Sequence, residues 1–214
     1  TTTIYSMIEH MNKKEKNIIT MEDPVEYNFS GITQGQANNK LGFSFHNGLR
    51  SILRQDPDII IIGEIRDKAT VQIAIEAALT GHLVLSTLHT RDSIGSINRL
   101  LDMGIEPFLI SATLTGVLTQ RLVRVLCNKC KEKRKIRKEE IEKLFKKNNE
   151  KKEFDIFIPK GCESCFNLGY KGRTGVFELL QINDSLRDLI TKKTNSNVIN
   201  NIIEKENFQS LFCN

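Results

Sequence analysis

The chain has 214 residues, 39% of them hydrophobic and 27% charged, with a formal net charge of +5. This is the composition of an ordinary globular protein with one sizeable core, or a core and a small satellite. No apolar run approaches the ~20 residues a membrane-spanning helix needs, and the N-terminus lacks the basic-then-apolar pattern of a secretory signal. The positive charge is local: residues 129–152 hold twelve Lys or Arg against five Glu, so it says little about the rest of the chain.

In chain order, Ile4, Met7, Ile8 and Met11 have helical spacing and predict a helix over residues 3–11. Residues 18–21 read as a short strand that runs into Glu22-Asp23-Pro24-Val25-Glu26. Pro24 ends its pairing, so these acids stand at a strand end or in the loop beyond. Residues 28–42, polar and glycine-bearing, read as a loop or an irregular hairpin. Residues 43–55 form an amphipathic helix, with Phe45, Leu49, Ile52 and Leu53 on one face and Arg50 and Arg54 one turn apart. Four consecutive isoleucines, Ile59 to Ile62, show no alternation and predict a strand buried on both faces. It ends in Gly63 and Glu64. A helix over 70–80 follows, closed by Gly81; then a strand over 83–88 ends at His89. A helix over 93–103 stops at Gly104, and residues 108–118 read as a buried helix. Residues 121–126 lead into the first cysteine pair. Residues 131–152 are mostly charged, with a short helix around 138–147. A strand over 174–182 and a helix over 186–192 complete the reading.

Strands alternating with helices of about a dozen residues imply βαβ units around a parallel sheet, an α/β fold. Right-handed crossovers bring the strand ends near Glu26, Glu64 and His89 to one edge. Separate carboxylates at such an edge are what a nucleotide site needs. One holds Mg²⁺, another orients or deprotonates the attacking water, and a neutral histidine nearby senses or stabilises the γ-phosphate. No G-x-x-x-x-G-K-[ST] phosphate cradle occurs in the 214 residues. Thr1-Thr2-Thr3 leading into a helix is what would follow the lysine of such a loop. Both ends read as cut, and the chain is expected to be a piece of something longer.

Four of the five cysteines form Cys127-x-x-Cys130 and Cys162-x-x-Cys165, separated by 31 residues. Without a secretory signal they read as metal ligands rather than disulfides. Four thiolates from two knuckles make a closed, structural Zn²⁺ site. Cys213 stands outside the set.

The segments ITMEDPVEY (19–27), LRSILRQDPDIIIIGEIRD (49–67), GHLVLSTLHT (81–90) and residues 120–130 resemble the type II secretion and type IV pilus assembly ATPases. The resemblance runs from residue 1 to about 180. It implies a RecA-like P-loop NTPase core, here truncated at the P-loop, with an inserted four-cysteine zinc subdomain. It further implies a homo-hexamer at the cytoplasmic face of the membrane that hydrolyses ATP to extend a pilus or secretion pseudopilus, against an inner-membrane platform protein. Peripheral membrane contact fits that setting, and no nucleic acid is expected. By position, Glu22, Asp23 and Glu26 match the family's acidic box, Gly63 and Glu64 its atypical Walker B, and His82 and His89 its histidine box. Thr1 matches the Mg²⁺-binding residue after the P-loop lysine. With Gly63 in place of the usual aspartate, Glu26 is favoured as base and Glu64 for the metal, although the reverse is chemically sound. Arg50 and Arg54 are candidates for reaching phosphate or a neighbouring subunit. Arg91, where asparagine is usual, and Ala69, where glutamate is usual, depart from the pattern without removing a catalytic group.

The secretion and assembly branches of the family usually carry the four-cysteine element, whereas the retraction branch lacks it. The expected division is an ATPase core over 1–126, a metal-binding subdomain over 127–172 and a return segment over 173–214, with this stretch alone inactive. Two other readings are a RecA-like nucleic-acid translocase, disfavoured by the lack of an aromatic-and-basic stacking platform, and a non-catalytic zinc-bearing interaction module.

Overall fold

The computed structural model describes residues 2–137 and 153–194, together with residues 199, 202, 208 and 211. Thr1, the helix expected around 138–147 and Cys213 lie outside the described residues. The chain divides into two compact units, Thr1–Val117 with Leu180–Glu206, and Leu118–Leu179 with Asn207–Asn214.

The first unit opens with helix α1 (Thr2–Met11) and strands β1 (Ile18–Glu22) and β2 (Thr33–Gln36). Next come α2 (Phe45–Ile52), β3 (Ile59–Ile62), α3 (Lys68–Leu79), β4 (Leu83–Ser86), α4 (Ser93–Asp102), α5 (Pro107–Thr113) and, late in the chain, α6 (Asp184–Thr191). Its sheet is parallel throughout, in the order β2-β1-β3-β4. Alternation along the two central strands sorts their side chains onto two faces. Ile19, Met21, Ile60 and Ile62 pack with Leu49 and Ile52 of α2 and with Ile73, Ala74 and Ala77 of α3. Ile18, Ile59 and Ile61 pack with Tyr5 and Ile8 of α1. The four isoleucines of β3 are therefore buried on both sides, as an unbroken apolar run requires. Side-chain caps start four of the helices: Ser44 accepts from Asn47 N–H, Asp67 from Thr70 N–H, Asp92 from Gly95 N–H and Asn183 from Leu186 N–H.

Two elements differ from the sequence reading. Within the stretch read as loop, Thr33–Gln36 forms β2 beside β1, with Ile19 opposite Thr33 and Glu22 opposite Gln36. Thr-Gln-Gly-Gln carries no apolar signal, and a backbone ladder to a distant strand makes it β. The helix read over 108–118 ends at Thr113, because Leu114 turns to an extended conformation and Gly116 begins a strand. Phe108 is 59% exposed, so only part of that helix faces the core. Two polar ties join it to α6: Arg187 donates to the Ser111 carbonyl and the Thr191 hydroxyl to Ser111 Oγ at 3.1 Å.

The second unit is built on two ribbons. Strand β5 (Gly116–Leu126) pairs with β8 (Tyr170–Gln181), and β6 (Glu132–Arg137) pairs antiparallel with β7 (Glu153–Ile158). Residues 118–126 and 173–179, within β5 and β8, group with the cysteines. Strand β6, Glu-Lys-Arg-Lys-Ile-Arg, gives no alternating pattern. Its register with β7 and ion pairs such as Lys133 to Asp155 at 2.8 Å hold it.

Candidate functional site

At the carboxyl ends of β1, β3 and β4 lies a cavity of about 370 Å³. Glu22, Asp23, Glu26, Gly63, Glu64 and His89 all line it. The carboxyl edge is where open parallel sheets bind ligands.

Glu22 is the last residue of β1 and shares the α1-facing side with Ile18 and Thr20. It is only 5% exposed. Thr20 Oγ1 donates to Glu22 Oε1 at 2.5 Å, Gln34 Nε2 of β2 donates to the same oxygen at 3.0 Å, and the Tyr5 hydroxyl donates to Oε2. The Asp23–Pro24 peptide that follows is cis. Beyond it, the Glu26 N–H donates to the Tyr5 hydroxyl at 3.1 Å, while the Glu26 side chain is exposed.

Glu64 stands just past β3, with its side chain 14% exposed. The Arg66 guanidinium pairs with one carboxylate oxygen, and His89 Nε2 lies 3.4 Å from the other. Arg66 holds the Glu64 carboxyl below the ordinary glutamate range, against the effect of burial and with help from His89. Glu64 in turn raises the Arg66 pKa, and Asp23 adds to it. Two side-chain ties fix this loop to β4: Ser86 Oγ donates to the Ile62 carbonyl at 2.9 Å and Thr87 Oγ1 to the Gly63 carbonyl at 2.6 Å. His89, two residues on, is thereby held beside Glu64. Gly63 has a backbone reason of its own. Its N–H donates to the Met21 carbonyl at 2.8 Å, and a Cβ there would stand 3.3 Å from both that oxygen and Glu22 Cα.

The remaining candidates are elsewhere. His82 precedes β4, at the strand end opposite to His89. Its Nδ1 lies 2.9 Å from the Ala77 carbonyl and 3.0 Å from Thr80 Oγ1, so it closes helix α3 and does not line the cavity. Arg50 and Arg54 are exposed on and just after α2, which packs on the other face of the sheet from α1. Neither lines the cavity, because the face that carries Leu49 and Ile52 sets their direction. Conversely, Tyr5, Thr20, Gln34 and Thr87 belong to this site and were not singled out in the sequence. The signal for Thr20 was present, since it sits two residues from Glu22 and hence on the same strand face. Gln34 had none, because β2 was not recognised as a strand.

In the second unit the sulfurs of Cys127, Cys130, Cys162 and Cys165 all lie within 4.8 Å of one another. Three of the separations are 4.0, 3.8 and 3.8 Å. Tetrahedral zinc with bonds of about 2.3 Å requires edges of about 3.8 Å, whereas a disulfide needs about 2.05 Å. The donor set therefore fits Zn²⁺. The second knuckle is shaped by left-handed Phe166 and Asn167 and by Gly161, where a Cβ would meet the Asn167 carbonyl at 2.8 Å. Burial opposes ionisation of Cys165, but N–H donors from Cys162 and Gly169 outweigh it and bring the thiol to about 6. Burial pushes Cys130 up to about 11.

The whole chain, residues 1–214, matches the family model described as Type II/IV secretion system protein. It is 53% identical over 190 residues to the type II secretion system ATPase E of Vibrio cholerae, covering 88% of this chain and 37% of that protein. It is 44% identical over 211 residues to the type IV pilus assembly ATPase TfpB of Acinetobacter baylyi, covering 99% of this chain and 36% of that one. The chain thus spans little more than a third of these relatives' length. Its structure is similar to that of the pilus retraction motor PilT with bound ADP, with a TM-score of 0.66, 30% identity, and coverage of 95% of this chain and 50% of that one.

Proposed function

The chain belongs to the Type II/IV secretion system protein family, and on that premise we propose that the full-length protein is an ATP-hydrolysing, hexameric motor. It powers assembly of a type IV pilus or a type II secretion pseudopilus from the cytoplasmic face of the membrane, against an inner-membrane platform protein. The observation that carries the reading is that Glu26, Glu64 and His89, which come from three separate strand ends, line one cavity. A P-loop upstream of α1 would complete a RecA-like site, with Thr1 at the metal.

In this reading the cavity takes ATP, and Mg²⁺ held there would supply neutralisation of the charge that develops on the phosphates. Glu64, kept ionised by Arg66, serves the metal through oxygen or water. Glu26 accepts the proton of the attacking water. His89, hydrogen-bonded to Glu64, reads the terminal phosphate. The four cysteines hold a structural Zn²⁺, which favours the building branches of the family over retraction. Phosphate release by the full-length protein tests the proposal: hydrolysis that needs Mg²⁺ and is lost in Glu26→Gln is expected. A wild-type protein that binds no nucleotide and releases no phosphate would leave only a zinc-bearing interaction module.

A further inference from the structure

We infer that Tyr5 is a positioning residue of this site, its hydroxyl joining helix α1 to the two acidic positions Glu22 and Glu26. The inference rests on the nucleotide-hydrolysing reading above and adds to it a means by which α1 governs the acids.

A phenol has one proton to give and lone pairs to receive. Tyr5 gives its proton to Glu22 Oε2 and receives the Glu26 N–H at 3.1 Å. Glu22 is the end of a strand and Glu26 lies in the loop beyond it, so one oxygen fixes both relative to the helix. The ring cannot easily turn away. It is 6% exposed and stands edge-on to Tyr27 and Phe29, with centroids 5.7 and 5.2 Å away. Burial, with Glu22 beside it, raises the Tyr5 pKa, so the hydroxyl keeps its proton through the physiological range. Thr20 and Gln34 hold the other Glu22 oxygen, and Gln34 ties it to the Tyr27 carbonyl and the Phe29 N–H further along the loop. Tyr5 makes the tie to the Glu26 N–H.

Tyr5 lies in the first turn of α1. In the proposed function that turn follows directly on the phosphate cradle. A shift of α1 on nucleotide binding would therefore be transmitted to the segment that carries the base. Such coupling acts on the geometry of the reacting water more than on nucleotide affinity.

The test is steady-state ATP hydrolysis by the full-length protein carrying Tyr5→Phe, which keeps the ring and deletes one oxygen. Losing a hydrogen bond to a charged group, with a second partner left unpaired, is expected to lower kcat roughly tenfold or more while KM for ATP changes less than about twofold. The retained KM also reports that the variant is folded. Thr20→Val, which removes a donor to Glu22 and leaves the tie to Glu26, is expected to lose less. An unchanged kcat in Tyr5→Phe overturns the inference alone, as does a raised KM at unchanged kcat. A loss in Thr20→Val as large as that in Tyr5→Phe also overturns it, since the effect would then run through Glu22 only. A wild-type protein without hydrolysis overturns the proposed function and this inference together.

Discussion

On the proposed reading that the four cysteines hold Zn²⁺, removing it is expected to unfold the second unit and spare the first. Among its described residues, the buried apolar side chains are Ile136 and two of the cysteines, Cys127 and Cys165. Phe157, Phe166, Leu168, Phe177 and Leu179 are all exposed. One buried isoleucine is worth about 1.5–3 kcal/mol, while ordering each residue costs about 1–2 kcal/mol of backbone entropy. Arg124 over the Tyr170 ring and Lys131 over the Phe157 ring add about 0.5–1 kcal/mol each at exposed sites. Structural zinc contributes on the order of 10–16 kcal/mol near neutral pH, and that binding energy is folding energy. It is by far the largest of these individual contributions. The assay is hydrogen exchange read by mass spectrometry on the reduced full-length protein, before and after a strong zinc chelator. Amides of Glu132–Arg137 and Glu153–Ile158 should lose protection, while those of Ile59–Ile62, buried between two helical layers, keep it. Unchanged protection of both ribbons in protein shown by elemental analysis to be zinc-free would refute the reasoning.

At the cavity, Glu26→Gln should reduce phosphate release by about 100-fold or more with nucleotide binding retained. Glu64→Gln should instead raise the Mg²⁺ concentration needed for half-maximal rate, and the opposite pattern in the two variants would exchange their roles. Acid stability offers a separate check, because Glu64 has a lower pKa folded than unfolded. Its contribution is complete above the ordinary glutamate pKa of about 4.3 and is lost as the pH falls through the lower folded value. Replacing Glu64 by Gln should flatten that part of the stability-against-pH curve, and an identical slope in both proteins would contradict the assignment. Gly63→Ala should cost about 1–3 kcal/mol, since the added methyl meets strand backbone that has little room to move. A denaturation midpoint equal to that of the wild type would show that β1 and β3 are less tightly apposed than described.

What the sequence determined by itself was whatever is written in short-range pattern. The isoleucines 59–62 announced a strand covered on both faces, because only such a strand lacks alternation. The paired cysteines announced a tetrahedral donor set through their spacing. Acids and a histidine at the ends of successive strands announced an edge where they meet, since parallel strands joined by crossovers must share an orientation. Tertiary structure decided what depends on partners distant in the chain. Thr33–Gln36 became a strand only because β1 offered it a ladder, and the charged β6 only because β7 did. The strand end already favoured His89 over His82 in the sequence, and the four-residue β4 between them puts only His89 at the cavity. Arg50 and Arg54 were turned from it by the face of α2 that the core claimed. Tyr5 read as one more residue of an amphipathic helix. Its meaning came from Glu22 and Glu26, which no local periodicity could have put within reach of its hydroxyl, because a hydrogen bond is made by geometry and not by sequence distance.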